Sequence, residues 1–376
     1  MEAMGLKEAR EKLINDGILA ERVSLTGRKL ILRLSERAVL YREMSSLLGA
    51  GFPLVRALDL LIESPDMEDT NIMVAGVRDR IREGSSLADA LSEASRSITP
   101  FEYAIIQSAE RSATVEVMLE RLASFLEEQE KLRDRVRSAL VYPSIVLAVG
   151  ICVAMVMLGV LIPRAREIIA GNNMTLPVLT RFMMWFGSAV VKWGWLVAVA
   201  IGAFVVYIRR RLIADDTFRL NWDRRLFAVP LLGKGRRLLA NLRFSRTMAV
   251  LVKGGVSLID AVVLAGRATG SMWIGQLSDA AALSIRHGGS LSDAVRGIPP
   301  LSGSLPGWLK IGEASGSVER LLDSAGERFQ SQWDRFIGTC LGFLEPILIL
   351  LIGGFVLLIT LSVLMPIISL TQTVGR

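Results

Sequence analysis

The 376-residue sequence predicts an all-α polytopic membrane protein, with two homologous cytoplasmic antiparallel helical bundles of about six helices each and three transmembrane helices. Three observations carry this reading. A long phrase is stated twice at a fixed shift, which marks two copies of one folding unit. Three apolar stretches have the length of a bilayer span. No stretch shows enough period-2 alternation to build a sheet.

Arg42, Met44, Leu47, Gly51, Leu54 and Ala57 recur as Arg246, Met248, Leu251, Gly255, Leu258 and Ala261, all at a shift of 204. Ile81, Gly84, Ser86, Leu87, Asp89 and Ala90 return as Ile285, Gly288, Ser290, Leu291, Asp293 and Ala294 at the same shift. One residue is then lost. Glu110, Ser112, Val115 and Glu116 return as Glu313, Ser315, Val318 and Glu319 at 203, and that shift holds for Pro143 and Pro346, Gly150 and Gly353, and Pro163 and Pro366. The repeat unit is therefore a helical block plus the apolar segment after it.

Composition agrees. Hydrophobic residues make up 51% of the chain and the mean hydropathy is +0.44, more apolar than an ordinary soluble protein. The net charge of +7 fits a basic membrane protein whose partners include anionic lipid headgroups, rather than a nucleic-acid binder. The sign is split: residues 1–137 hold 20 basic and 24 acidic side chains, residues 209–338 hold 19 and 11. Blocks of opposite sign are suited to docking on each other, on copies of themselves, or on different partners. Cys152 and Cys340 form no disulfide framework or metal site and read as buried, inert thiols. His287 is the only histidine, so no His-pair metal site exists, and its counterpart Glu83 suggests a surface position near a helix end.

Residues 1–34 read as a short extension without a signal peptide, holding a short helix and a strand-like stretch at 29–33. Residues 35–138 are the first bundle. Ser35 is placed to cap a helix whose apolar face is Leu40, Met44, Leu47 and Leu48. Gly49 to Gly51 ends it, and Pro53 opens the next helix at its first turn; Ser257 does the same work as a cap in the second copy. Helices through Asp59, over 74–82, 87–91 and 100–109, and from Val115 towards Arg137 complete the block.

Residues 139–162 form the first span; its core, Leu140–Ile162, measures about 34 Å as a helix, and Pro143 falls near its start, where a helix tolerates it. An outer loop and interfacial segment, 163–189, leads to the second span at 190–208, with Lys192 near its start. The second bundle occupies 209–338, the third span 339–366 and an outer tail 367–376. Lys131, Arg133, Arg135 and Arg137 before the first span, Arg209–Arg211 after the second, and Arg328 and Arg335 before the third place both bundles in the cytoplasm. The copies share one orientation, unlike the inverted repeats of many transporters.

No Gly-x-x-x-x-Gly-Lys-Ser/Thr loop exists, and one histidine supports no Ser-His-Asp or Cys-His set, so the chain reads as a non-enzyme without cofactor or metal. Gly338 and Gly342, with Gly353 and Gly354 beyond, have the spacing of a close helix contact. Glu110 and Glu313 read as carboxylates near a new helix start, with a metal or partner contact as the other reading. Glu345, before Pro346 near the cytoplasmic edge of the third span, is either a functional intramembrane carboxylate or one that reaches water.

The turns Gly51-Phe52-Pro53-Leu54 and Gly255-Val256-Ser257-Leu258, with Arg246 upstream, are similar to those of the type II secretion F-protein family, the inner-membrane platform proteins of type IV pilus and type II secretion machines. So are Glu313-Ala314-Ser315-Gly316, Tyr142-Pro143 and Glu345-Pro346 at two span starts, and Leu176-Pro177 in the outer loop. The resemblance covers about 35–366. It departs at Ala113, where the second copy has Gly316, and in the short N-terminal extension, which leans towards a type IVb-like or plasmid-encoded pilus. It implies a bacterial inner-membrane scaffold and homo-oligomer that binds a hexameric ATPase, pilins or pseudopilins and other inner-membrane assembly proteins, and couples the ATPase to pilin extraction and filament assembly. A small membrane transporter or a membrane-anchored signalling adaptor are the other readings of the same sequence.

Overall fold

The computed structural model describes residues 31–64, 70–157, 159, 178–301 and 303–374. Among these the chain is helical, with no strand. Contacts divide it into two compact units, one comprising the chain up to Arg133 with Asp223–Trp333, the other Asp134–Trp222 with the chain from Asp334 onward.

The first unit holds the helical blocks of both repeats. Repeat 1 contributes α1 (Leu34–Gly49), α2 (Leu54–Glu63), α3 (Asn71–Arg82), α4 (Leu87–Ala94), α5 (Pro100–Arg111) and the start of α6 (Val115–Val156). After α7 (Val178–Ala214) and α8 (Asp216–Ala228), repeat 2 contributes α9 (Pro230–Lys253), α10 (Leu258–Ala268), α11 (Met272–Arg286), α12 (Leu291–Arg296), a 3-10 turn (Pro299–Leu301), α13 (Leu305–Ser315) and the start of α14 (Val318–Val374). Buried positions obey the same shifts. Leu40 and Phe244, Met44 and Met248, Leu58 and Val262, Ile106 and Leu309, and Leu119 and Leu322 are matched core side chains of one apolar cluster.

Several helix ends are set differently from expectation. Ser35 is not the cap of α1: the helix begins at Leu34, and the Glu36 carboxylate accepts from the Arg33 amide at 2.8 Å. Pro53 is the N-cap of α2 with extended backbone, one residue before the first helical position. Ser257 caps α10 as expected, accepting from the Asp260 amide. At 31–33 the chain has no regular structure; the rest of the strand-like stretch lies outside the described residues. His287 sits exposed at the C-cap of α11.

The C-terminal turns follow one pattern. Phe52 N–H donates to the Leu47 carbonyl and Gly51 N–H to Leu48, a double bond that closes α1 with Gly51 at φ +86°. Val256, Leu251, Gly255 and Val252 repeat it after α9, with Gly255 at φ +75°. After α13 the left-handed residue is Gly316, φ +63°; after α5 it is Ala113, φ 55°, whose Cβ strains that conformation.

The copies differ inside the core. In repeat 1 the Arg37 guanidinium pairs with Glu102, which is 1% exposed, and donates to the Ser97 carbonyl at 2.7 Å; Tyr41 O–H donates to Glu102 at 3.3 Å. Burial pushes the Glu102 carboxyl above its ordinary range, against the pull of Arg37. In repeat 2 the matched residues are Asn241 and Leu305: Asn241 Nδ2 donates to the Pro300 carbonyl at 3.0 Å, and Leu305 is buried. A short amide holds the same backbone turn without a second charge to neutralise.

In the second unit, α6, α7 and α14 carry three segments long and apolar enough to cross a membrane, with Lys192–Leu212 as the one on α7. α6 runs unbroken through Pro143, α14 through Pro346, and Phe182 and Lys192 lie on the single helix α7. Their large apolar side chains are mostly exposed, as helices facing lipid require, apart from a small cluster of Met183 and Ile359 with Met157 and Phe355. Cys152 is exposed, which corrects the expectation of a buried thiol: on a helix with a lipid-facing side, apolar position does not entail burial in protein. A Cβ at Gly338, Gly342, Gly353 or Gly354 would meet nothing within 4 Å, so within the chain their spacing makes no close contact; Gly150 does, its Cβ position lying 2.7 Å from Ile352 Cδ1.

Replacing Ala113 with Gly should raise stability by about 0.5–1 kcal/mol, and Gly316→Ala should lower it by about 1 kcal/mol, read from thermal melts of the detergent-solubilised chain. Glu102→Leu alone leaves Arg37 buried without its partner and should cost about 3 kcal/mol or more. Adding Arg37→Asn, which reproduces the arrangement of repeat 2, should recover most of that loss in a double-mutant cycle.

Candidate functional site

The residues repeated most faithfully converge on helix ends. Glu110 on α5 accepts from the amides of Leu87 at 2.5 Å and Ala88 at 3.3 Å, while the Ser86 hydroxyl accepts from Asp89 N–H at 3.0 Å. The first three amides of α4 are thereby satisfied. Glu313 on α13 accepts from Leu291 at 2.5 Å and Ser292 at 3.1 Å, and Ser290 from Asp293 at 3.1 Å, which does the same for α12. A carboxylate at the positive end of a helix needs no metal. Both glutamates thus serve a helix start, but one lying about 22 residues earlier in the chain rather than the one that follows them. No group of three or more His, Cys, Asp or Glu among the described residues is placed to hold a metal ion.

Arg246 joins the repeats. Its Nε lies 3.6 Å from Glu128 of repeat 1 and its Nη1 4.0 Å from Asp323 of repeat 2, and its stem packs over Gly326, where a Cβ would meet Cδ at 2.8 Å. Its counterpart Arg42 stays within repeat 1, donating to Glu127 at 2.9 Å and Ser124 at 2.9 Å. At the end of the same helix, Ser108 Oγ donates to the Gly254 carbonyl at 2.8 Å, just before the Gly255 turn. Gly51, the partner of Gly255 in repeat 1, has nothing within 4 Å of its Cβ position, and neither has Gly316.

In the second unit Tyr142 O–H donates to the Glu345 carboxylate at 3.3 Å. These residues occupy the same place in their repeats, 203 apart, each followed by the matched prolines Pro143 and Pro346. Both are exposed, on the spans α6 and α14. Nearby, Arg135 Nη1 lies 3.2 Å from Asp334. Pro177 lies outside the described residues.

Three kinds of contact therefore involve site residues: the helix-capping carboxylates Glu110 and Glu313, the joint between repeats at Arg246 and the Gly255 turn, and the Tyr142–Glu345 pair linking two spans; Gly51, Pro53 and Gly316 shape helix ends. Sequence reasoning missed Glu128, Ser108 and the buried Asp223, which pairs with Arg236 and accepts from the Ser271 hydroxyl. No local pattern points to them, because their partners are distant in the chain.

Glu110→Ala and Glu313→Ala should each cost about 1–2 kcal/mol and speed amide exchange at the starts of α4 and α12; the Gln variants, which keep an acceptor, should lose less. Chelators should leave both readouts unchanged.

The model of the family described as type II secretion system protein F matches residues 40–163 and 244–366. The chain is 26% identical over 340 residues to type II secretion system protein F of Vibrio cholerae, covering 90% of this chain and 83% of that protein. It is 29% identical over 339 residues to the Pseudomonas aeruginosa protein of the same name, covering 90% and 83%. With type IV pilus assembly protein PilC of Thermus thermophilus it shares 26% identity over 346 residues, 91% of this chain and 84% of that one. The two matched segments are the two repeats, each a helical block with its apolar extension, and the chain belongs to the type II secretion system protein F family.

Proposed function

We propose that this protein is an inner-membrane platform of a type IV pilus or type II secretion machine, which couples a cytoplasmic hexameric ATPase to pilin extraction and filament assembly. Membership of the F-protein family supports the setting, and relatives named for secretion and for pilus assembly cover most of the chain. The observation that carries the coupling role is helix continuity. α6 and α14 each begin among the packed helices of a repeat and continue without a break into a membrane-crossing apolar segment. A continuous helix carries displacement along its axis, because each turn is hydrogen-bonded to the next. The flanking basic residues favour both repeats on the cytoplasmic side, where an ATPase is available. Pilins or pseudopilins are then the partners met in the bilayer.

Mild-detergent purification of the tagged chain from its host should recover a secretion ATPase together with pilin-like proteins, identified by mass spectrometry. Recovery of neither, with the protein intact, would sink the platform reading. Inserting two glycines after Arg133 should abolish filaments or secretion while membrane insertion and ATPase recovery persist; normal filament assembly would refute transmission through α6.

A further inference from the structure

The two repeats are joined through unlike surfaces. Repeat 1 offers the outer face of α5, where Ser108 donates to Gly254; repeat 2 offers the turn ahead of α10, Gly254 to Val256, and Gly254 is buried there. By the internal shift each surface exists a second time. α13 carries Lys310, Ile311 and Ala314 where α5 carries Gln107, Ser108 and Arg111. The turn ahead of α2 carries Ala50, Gly51 and Phe52 where the joint uses Gly254, Gly255 and Val256.

Both second surfaces lie open. Lys310, Ile311 and Ala314 are exposed, Ile311 by 60%; Ala50 is exposed and Phe52 is 41% exposed. A joint that uses one surface from each repeat, rather than the same surface twice, always leaves one of each unmatched. Between molecules such a contact is head-to-tail and can be repeated by adding further chains.

We propose that the open surfaces meet between two copies of this chain, with α13 of one molecule seated on the Ala50–Phe52 turn of the next, so that the contact between repeats is continued from chain to chain. Its chemistry suits a second copy. The contact brings a basic repeat 2 onto an acidic repeat 1, the sign arrangement already used inside the chain, whereas repeat 1 on repeat 1 would set like charges together. At the matched positions Ile311 replaces Ser108, Phe52 replaces Val256, Lys310 replaces Gln107 and Ala314 replaces the exposed Arg111. Apolar contact between Ile311 and Phe52 takes the place of the Ser108–Gly254 hydrogen bond, and until it forms two large apolar side chains stand in water. It does not depend on which machine the protein serves.

The test is disulfide trapping of the full chain in membrane vesicles, in a Cys152→Ala, Cys340→Ala background. Ala50→Cys combined with Ile311→Cys should give dimers and a ladder of higher species on oxidation. Chains with only Ala50→Cys co-expressed with chains with only Ile311→Cys should stop at a dimer, and either variant alone should stay monomeric. Cross-linking of either single variant would indicate a two-fold contact and overturn the proposal, as would monomers alone from the double variant. Independently, Ile311→Lys should weaken self-association by about tenfold or more, read by light scattering in detergent, with an unchanged melting profile. An unchanged mass at every concentration would also overturn it.

Discussion

The bundle depends on satisfying the ends of helices too short to satisfy themselves. α12 has six residues and α4 eight, so most of their backbone amides and carbonyls are end groups without an intrahelical partner. Glu110 and Glu313 supply the acceptors for the first two amides of each, and the serine caps supply the third. The left-handed turns at Gly51, Gly255 and Gly316 close the C-terminal ends of α1, α9 and α13. With the ends closed, short helices can pack around Met44 and Met248 as one core.

Once that frame is in place, the copies are free to diverge where neutrality is kept. Arg37 with Glu102 and Asn241 with Leu305 are two solutions to the same task, holding the backbone carbonyl at Ser97 or Pro300. A change at only one of the two positions leaves either a buried charge or an empty acceptor, so both differ together. The joint between the repeats diverges further: Arg246 reaches across to Glu128 while Arg42 remains at home. That asymmetry gives the pair of repeats a direction, and two identical lobes related by a two-fold would have none.

In the membrane-crossing unit the same duplication places Tyr142 against Glu345 at equivalent positions of two spans. A carboxylate near the edge of an apolar helix is costly without a donor, and a phenol on the neighbouring span provides one. For a member of the type II secretion system protein F family, the notable property of such spans is that their helices begin inside a packed helical bundle, which is what the proposed coupling role draws on.

The duplication, the helical class, the three spans and the roles of Gly51, Gly255 and Ser257 were legible in the sequence, because period, turn chemistry and apolar run length are local properties. The paired change from Arg37 and Glu102 to Asn241 and Leu305 was also written there, visible only when the copies are laid over one another. What the tertiary structure alone decided is which distant groups meet. Glu110 and Glu313 sit before a new helix in the chain, yet they serve helices that began 23 and 22 residues earlier. That the faces at Phe52 and Ile311 are left open is equally invisible in the sequence, since an apolar residue on a helix or turn reads the same whether covered or not. Exposure there is set by which of two equivalent positions the joint between the repeats uses.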